Sequence, residues 1–444
     1  MSRFLNEESL SHFESGLTAD YKVRERAVTK NGIVNSAIDF DVKREAKPVF
    51  SIEVSAGNVT NQKQSGRCWM FAGLNVIRTM VMKKLHLKNF ELSQSYLQFY
   101  DKLEKANFFL ERIIELKDEP IDSRLNAFFL DNGIGDGGHF IMFTNLVKKY
   151  GVVPSYSMPE TAVSSATTEL NNVLNDLLHK DALILREKAK SVSAEDLETL
   201  KDVMLQEVYQ VLVISLGMPP KEFTLEVRDK DDKFVASEVK TPLSFFKEYI
   251  EADLDAYIPL SDIPYDGLKR GECYYSHFVN NVEGGDEVLF YNVPVDVLKT
   301  SVINSLKGDE VVWFAADVLS QSLRKEGILA SGIINYDELF QVKTLTGKAE
   351  RMNSRTSFCN HAMTFTGVNL VNDKPNRFKV ENSWGKDVGE DGFFVMSDSW
   401  FDDYVYQVLV NKKYVPEEYV KEYEEKKKQP IEISLFNTFF AMVK

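Results

Sequence analysis

The chain has 444 residues, of which 44% are hydrophobic and 27% are charged, and its formal net charge is −14. This composition is ordinary for a folded globular protein, and the length predicts roughly two to three domains of structure. The acidic balance disfavours nucleic acid and an anionic membrane surface as main partners. The chain has no run of about 18 apolar residues, so we expect no membrane-spanning helix.

The cysteine content indicates a reducing compartment. Only Cys68, Cys273 and Cys359 occur, which excludes a disulfide framework. Residues 1–8 turn acidic where the apolar part of a secretory signal would begin. We therefore predict a cytoplasmic protein. Metal-binding pairs of the His-Glu-x-x-His and Cys-x-x-Cys types are absent and the six histidines are scattered, so we expect no metal and no other cofactor.

The first stretch that suggests chemistry runs from Asn61 to Ala72, since residues 1 to about 50 carry none. It places Cys68 after a glycine-containing turn and before apolar residues that recur at helical spacing from Trp69 to Leu87. Cys68 is thus predicted at a helix N-terminus, where the partial positive charge favours the nucleophilic thiolate. Gln62 lies six residues earlier, and its amide is a candidate donor to an oxyanion. Taken alone, a single cysteine in an apolar setting is more often a core residue.

A cluster of glycines follows the next predicted helix. Gly133, Gly135 and Gly138 match the G-x-G-x-x-G dinucleotide fingerprint. The match is weak because no clear strand precedes it and no βαβ unit accompanies it. A plain tight turn is an alternative. His139, which follows, is predicted to cap or pack a helix and is left out of the catalytic set.

Periodicity and cap residues predict most of the remaining elements. The region from about 160 to 290 contains amphipathic helices and a hairpin without any motif, whereas the region from 290 to 410 is rich in strands. Helices followed by strands predict an α+β fold with two lobes. The predicted helices are Gln94–Leu116, Thr167–Lys190, Ser193–Ile214 and Glu417–Lys428, and the predicted strands are Phe223–Val227, Phe234–Val239, Glu310–Ala316, His361–Leu370, Phe378–Glu381 and Phe393–Met396.

Three segments, in chain order, resemble those of papain-like cysteine peptidases. They read Gln-x5-Cys-Trp-x-Phe-Ala from Gln62, Asn-His-Ala-Met around His361, and Glu-Asn-Ser-Trp-Gly around Asn382. The resemblance implies a catalytic set of four: Cys68 attacks the peptide carbonyl, His361 transfers protons, Asn382 orients the imidazole, and Gln62 with the Cys68 N–H binds the oxyanion. In isolation, His361 would be interpreted as a strand histidine with satisfied hydrogen bonds.

The same resemblance implies residues that bind substrate. The backbone of Gly137 and Gly138 would pair with an extended peptide as an added strand does. Trp384 would shield the His–Asn hydrogen bond from water, and with Trp69 it joins the substrate-binding set. Cys68 and His361 lie about 290 positions apart, whereas compact relatives need about 130–150. A large insertion is therefore expected.

The fold predicted from the resemblance is papain-like, with a helical lobe and a β-barrel-like lobe. The predicted division is a helical lobe with the nucleophile at 1–155, a mostly helical insertion at 156–290, a β-rich lobe with the histidine and asparagine at 291–415, and a C-terminal helix and arm at 416–444.

Across nearly the whole chain, these motifs look like the bleomycin hydrolase and aminopeptidase C family. That resemblance implies a cytosolic homohexamer that hydrolyses peptides in an internal chamber. The C-terminal arm would lie in the cleft, and the carboxylate of Lys444 would bind the substrate's free amine, which makes an aminopeptidase. The bulky Phe439 and Phe440 depart from the family's arm. The alternative is an oligoendopeptidase, similar to the E/G-like branch of lactic acid bacteria. A non-catalytic binding protein is disfavoured because Cys68, His361 and Asn382 are all present.

Overall fold

The computed structural model describes residues 4–250, 254–344, 347–437, 439 and 440. Helices dominate the first half and strands the second half of these residues, so the α+β class predicted from the sequence is confirmed. The α-helices are α1 (Glu7–Ser15), α2 (Tyr21–Asn31), α3 (Ile33–Ala37), α4 (Phe40–Glu45), α5 (Cys68–Lys84), α6 (Gln94–Glu115), α7 (Arg124–Asn132), α8 (Phe140–Tyr150), α9 (Thr168–Lys188), α10 (Ala194–Leu216), α11 (Pro242–Tyr249), α12 (Val295–Lys307), α13 (Tyr336–Phe340), α14 (Lys348–Asn353), α15 (Asp398–Tyr404) and α16 (Glu417–Lys426).

Most strands join one mixed sheet, and a separate hairpin stands apart from it. The strands are β1 (Ile52–Glu53), β2 (Phe223–Arg228), β3 (Phe234–Lys240), β4 (Tyr257–Ser261), β5 (Glu272–Tyr275), β6 (Phe290–Asn292), β7 (Val312–Ala316), β8 (Ser322–Leu323), β9 (Ile328–Leu329), β10 (His361–Val371), β11 (Lys374–Glu381), β12 (Phe393–Ser397), β13 (Val405–Asn411) and β14 (Ile431–Glu432). The sheet order is β14-β5-β6-β4-β13-β7-β10-β11-β12-β9-β8, with β1 on β10, and β2 pairs with β3.

The local signals in the sequence match the ends of several elements. Ser93, Ser193 and Thr241 each cap the helix that follows, with the side-chain oxygen accepting a backbone N–H of the first turn. The hairpin of β2 and β3 also lies where alternation predicts it. In contrast, residues 7–45 form four helices, α1 to α4, that the sequence analysis did not identify.

Helix α5 lies between the helices and the sheet. Nearly all its residues are buried, as expected for a helix that is apolar around its whole circumference. Gly73 allows α8 to approach closely, because a Cβ there would lie 2.8 Å from the ring of Phe143. On the other side, the indole N–H of Trp313 in β7 donates to the carbonyl oxygen of Trp69 over 3.1 Å. The start of α5 is thus fixed against both layers.

The segment predicted as an insertion contributes to both layers. Its helices α9 and α10 pack on α6. Its later strands enter the main sheet, where β4 pairs with β13 and β5 pairs with β6. The division into four domains stays a prediction. Among the residues described, no helix has the length and apolarity needed to cross a membrane.

Candidate active site

His361 and Asn382 meet at one end of two paired strands. His361 is the first residue of β10, and Asn382 directly follows the last residue of β11. These strands are antiparallel neighbours, so the start of one lies beside the end of the other. The Nε2 atom of His361 lies 2.8 Å from Oδ1 of Asn382, and both residues are buried. The structure therefore brings together this pair of sequence-predicted residues.

The hydrogen bonds around Asn382 determine which imidazole nitrogen carries the proton. The backbone N–H of Ser383 donates to Oδ1 of Asn382 over 2.8 Å, which orients the amide oxygen towards His361. Nε2 of His361 is consequently the donor to this oxygen, and Nδ1 remains available on the other side of the ring. The ring of Trp384 lies 4.8 Å from that of His361 between centroids, tilted by 35°, and covers the imidazole.

Cys68 opens α5 beside this pair. The thiol is buried, and the backbone N–H of Ala362, the residue after His361, is near enough to lower the pKa of the thiol. The N–H groups of Cys68 and Trp69 also stabilise the thiolate, as expected at a helix N-terminus. The predicted nucleophile, His361 and Asn382 thus converge in one place although almost 300 positions separate the first two.

Burial opposes charge separation between the thiol and the imidazole. It raises the pKa of Cys68 to about 11, against the lowering by the N–H groups of Ala362, Trp69 and Cys68 itself. It also lowers the pKa of His361 to about 4, despite the hydrogen bond with Asn382. The helix N-terminus alone predicted a lowered thiol pKa. In the closed site, desolvation outweighs that effect and favours the uncharged pair.

Gln62 lies next to the same constellation. Its backbone N–H donates to the carbonyl oxygen of Ser383 over 2.8 Å, and its Oε1 accepts the hydroxyl of Ser383 over 2.5 Å. Its Nε2 donates one hydrogen to the carbonyl oxygen of Ser65 over 2.6 Å. A side-chain amide carries two hydrogens, so the second is available to an oxyanion.

The glycine pair lies against the tryptophan that follows the nucleophile. A Cβ on Gly138 would lie 2.3 Å from the ring of Trp69, so only glycine fits there. The carbonyl oxygen of Gly137 accepts the ammonium of Lys105 over 2.6 Å. Helix α7 ends at Asn132, immediately before this segment. The strand that a dinucleotide fingerprint requires is therefore not present, and that interpretation is wrong.

His139 has a structural role, as the sequence predicts. It caps α8, with its Nδ1 accepting the N–H of Ile141 over 3.4 Å. Its Nε2 forms a short hydrogen bond to Oε1 of Gln407. Burial lowers the pKa of His139 to about 4, although the bond to Gln407 acts in the opposite direction. The imidazole is consequently neutral at physiological pH.

The C-terminal segment returns to the same side of the molecule. The rings of Phe439 and Phe440 are buried and pack on Phe290 of β6. Phe290 contacts the ring of His139 at 5.1 Å between centroids. The arm therefore approaches the glycine pair from the side of β6. Lys444, predicted to bind the substrate amine, lies outside the described residues.

Sequence reasoning missed two charged residues that hold the turn before Cys68. Arg67 is buried, and its guanidinium forms two hydrogen bonds to the carboxylate of Glu160, at 2.9 and 2.7 Å. Asp136, within the glycine cluster, accepts the backbone N–H of Gly66 over 2.8 Å. An acidic residue between glycines was the available signal for Asp136, but its partners are distant in sequence.

Comparisons with known proteins agree with this geometry. The model of the Peptidase C1-like family matches residues 4–439. Aminopeptidase C of Listeria innocua is 44% identical over 402 residues, which cover 90% of this chain and 91% of the relative. Aminopeptidase G of Lactobacillus delbrueckii subsp. lactis is 44% identical over 94% of this chain and 95% of its own.

A solved structure extends the likeness to three dimensions. The crystal structure of PepW from Lactobacillus rhamnosis has a TM-score of 0.97 and 42% sequence identity, and the match covers 99% of both chains. The papain-like, two-lobed fold expected from the motifs is thereby confirmed. Over almost its full length, this chain belongs to the Peptidase C1-like family.

Proposed function

We propose that this protein is a cysteine aminopeptidase. The observation that carries the proposal is the convergence of Cys68, at the start of α5, with the hydrogen-bonded pair of His361 and Asn382. A buried thiol beside an imidazole whose tautomer is fixed by an amide is the arrangement that nucleophilic acyl transfer requires. Relatives at 44% identity that carry the name aminopeptidase support the same activity.

The proposed reaction begins with transfer of the thiol proton. As Sγ of Cys68 forms a bond to the carbonyl carbon, Nδ1 of His361 accepts that proton, because Nε2–H is engaged by Asn382. The negative charge moves to the carbonyl oxygen, where the Cys68 N–H and the Gln62 amide are proposed to donate. The C–N bond then breaks, and His361 passes the proton to the departing amine. Water, deprotonated by His361, hydrolyses the remaining thioester.

The position of the C-terminal segment favours attack at the substrate's N-terminus. Phe439 and Phe440 pack against Phe290 beside the glycine pair, and we propose that the arm they anchor blocks the side on which a longer peptide would extend. We propose that the backbone of Gly137 and Gly138, with Trp69 and Trp384, contacts the substrate. The carboxylate of Lys444 would bind its free amine. An oligoendopeptidase, the alternative from the sequence, has less support, since the named relatives are aminopeptidases.

The cellular setting is also a proposal. We propose a cytoplasmic peptidase that assembles as a homohexamer, with peptides as its substrates. The resemblance to bleomycin hydrolase supports both statements, and the absence of disulfides between the three cysteines is consistent with a reducing compartment.

A pair of substrates tests the proposal. We expect an aminoacyl fluorogenic amide with a free amine to be cleaved, and the same compound N-acetylated to be cleaved at least about a hundredfold more slowly, since acetylation removes the charged amine that the Lys444 carboxylate is proposed to bind. Cleavage of both compounds at equal rates would contradict exopeptidase action. Cleavage of a longer blocked peptide at internal bonds would establish the oligoendopeptidase instead.

A further inference from the structure

One aspartate is hydrogen-bonded to the chain on both sides of the nucleophile. Oδ2 of Asp136 accepts the backbone N–H of Gly66 over 2.8 Å. The backbone carbonyl oxygen of Asp136 accepts the indole N–H of Trp69 over 2.7 Å. Gly66 lies two residues before Cys68, and Trp69 lies one residue after it. Asp136 therefore contacts both the turn that leads into α5 and the first turn of that helix.

The carboxylate of Asp136 is itself held by two other helices. Its Oδ1 accepts the ammonium of Lys102 in α6 over 2.7 Å and the side-chain amide of Asn171 in α9 over 3.1 Å. Its Oδ2 also accepts the hydroxyl of Thr167, which precedes α9. With Gly66, four donors from three separate segments converge on this one group.

These contacts are buried and keep the carboxylate charged. The side chain of Lys102 is 1% exposed and that of Asp136 is 8% exposed. Burial alone would raise the pKa of Asp136, but the Lys102 ammonium and the hydrogen bonds from Thr167 and Gly66 hold it well below its usual range. A buried carboxylate with its hydrogen-bonding capacity filled has a single well-defined position.

The packing at this point leaves no room for adjustment. A Cβ on Gly66 would lie 2.9 Å from the Cβ of Asp136, so the turn rests directly on the aspartate. No disulfide ties the turn to its surroundings, because Cys68, Cys273 and Cys359 are all free. The position of the nucleophile thus depends on non-covalent bonds.

We propose that Asp136 is a positioning residue for the nucleophile, which acts by holding Gly66 and Trp69 at the same time. It keeps the sulfur of Cys68 in line for attack and the Cys68 N–H in place for the oxyanion, where a displacement of about 1 Å is costly. The role rests on the proposed function, since it presupposes that Cys68 is the nucleophile. Because Thr167 and Asn171 donate to Asp136, the start of α9 also helps to position the nucleophile.

The charge of Asp136 and its positioning role have opposite effects on the reactivity of Cys68: the charge lowers the reactivity, and the positioning raises it. The negative charge raises the pKa of the thiol, so its removal favours the reactive thiolate. The charged neighbours on α6 are Lys102, Lys105 and Asp101, with Lys105 bonded to Asp101 and to the carbonyl oxygens of Gly135 and Gly137. A loss of activity on neutralising Asp136 therefore cannot be an effect of charge on the thiol pKa and reports geometry.

The test compares Asp136→Asn with Asp262→Asn in the full-length enzyme. Asp262 is the matched control, because it is another buried carboxylate. It pairs with the cations Arg270 and Lys348. In Asp136→Asn, an amide nitrogen must face a donor, so we expect kcat to fall at least about tenfold with KM within threefold. Because loss of the Asp136 charge lowers the pKa of the Cys68 thiol, the alkaline limb of the kcat/KM profile should move to lower pH. Asp262→Asn should lower Tm without changing kcat or the pH limb.

Two outcomes would overturn the assignment. One is an Asp136→Asn enzyme with unchanged kcat and pH profile, and the other is an equal loss of kcat in both variants. Should Asp136→Asn fail to fold, Thr167→Val tests the positioning role instead. It removes the hydroxyl that donates to Asp136 and leaves the charge of the Asp136 carboxylate in place. We expect kcat to fall about threefold with an unmoved pH limb, and an unchanged kcat contradicts the role.

The rate at which iodoacetamide alkylates Cys68 separates this proposal from the proposed function. The reagent needs no peptide substrate, so it reports thiol reactivity even in a protein without peptidase activity. An inactive wild-type protein would refute the proposed function alone. An alkylation rate and pH dependence at Cys68 that are identical in the wild type and Asp136→Asn would refute the positioning role alone.

Discussion

The ring of Phe439 packs edge-on against the ring of Phe290, with 4.2 Å between their centroids. Phe440 contacts the same ring at 5.2 Å, and Phe290 in turn contacts His139 at 5.1 Å. The bulky residues that distinguish this arm therefore fill an apolar site next to the glycine pair. They anchor the arm against β6, next to the glycine pair.

Removal of residues 441–444 tests the role proposed for the end of the arm. If the terminal carboxylate binds the substrate amine, the truncated protein should lose at least tenfold in kcat/KM for a free-amine peptide, because its new terminal carboxylate, on Phe440, ends the chain four residues too early to reach that amine. The difference in kcat/KM between the free-amine and N-acetylated substrates should also become smaller. Lys444→Ala is the matched control, because it keeps the chain length and the carboxylate. Equal losses in both variants would assign the effect to the lysine side chain.

Asn382→Ala should lower kcat about a hundredfold with little change in KM. Without Oδ1, nothing fixes the proton on Nε2 of His361, and the tautomer that accepts the thiol proton is no longer favoured. Steady-state kinetics on a free-amine substrate measures the effect. Asn369→Ala is the control, since Asn369 lies in β10, the strand that His361 begins, and its side-chain amide donates to the exposed Asn376, away from the imidazole. A kcat equal to that of the wild type in Asn382→Ala would remove Asn382 from the mechanism.

The pH dependence of kcat/KM follows from the two shifted groups. In the reactive state, Sγ of Cys68 and Nδ1 of His361 share one proton, in addition to the Nε2 proton that is donated to Asn382. Since burial lowers the pKa of His361 to about 4, a second proton binds only as the pH falls through that value, and activity is lost there. Since burial raises the pKa of Cys68 to about 11, the shared proton is retained through neutrality. We expect a broad plateau from about pH 5 to 9, and an acid limb near pH 7 contradicts it.

His139 makes the protein less stable in acid. Its pKa is about 4 in the folded state, against about 6.5 when unfolded, so between these values the unfolded chain binds more protons. Above about pH 6.5 His139 is neutral in both states and does not change the free energy of unfolding. As the pH drops from 6.5 towards 4, this group lowers the free energy of unfolding by roughly 3 kcal/mol. Protonation of Nδ1 also removes the cap of α8.

Urea unfolding at pH 7 and pH 5 measures this contribution. His139→Asn retains a capping side chain but does not titrate, so its stability should decline less between the two pH values. The buried His361 still contributes to the decline in both proteins. Identical declines would show that His139 does not carry the effect.

The sequence predicted the chemistry better than the environment that controls it. Cys68, His361 and Asn382 lie in short motifs with a fixed residue order, and local signals such as Ser93 marked the helix that follows. The structure brings these three residues together as expected. The start of α5 also lies where the change from a glycine-containing turn to helical periodicity placed it.

The parts that were missed depend on contacts between distant segments. The hydrogen bonds of Asp136 join residues 66, 102, 167 and 171, and no local pattern reports them. Desolvation of Cys68 and His361 likewise depends on their burial by residues that are far apart in the sequence. The helices before residue 46 were missed because they are short and bury few residues.

The most direct test of the central claim compares the three cysteines in one assay. Cys68, Cys273 and Cys359 are all free and buried, so each is replaced by alanine and assayed on a free-amine peptide. Only Cys68 has an imidazole partner in the proposed mechanism. We predict that Cys68→Ala abolishes hydrolysis while remaining folded, and that Cys273→Ala and Cys359→Ala retain kcat within about threefold apart from lower stability. Hydrolysis by Cys68→Ala at the wild-type rate would contradict the account.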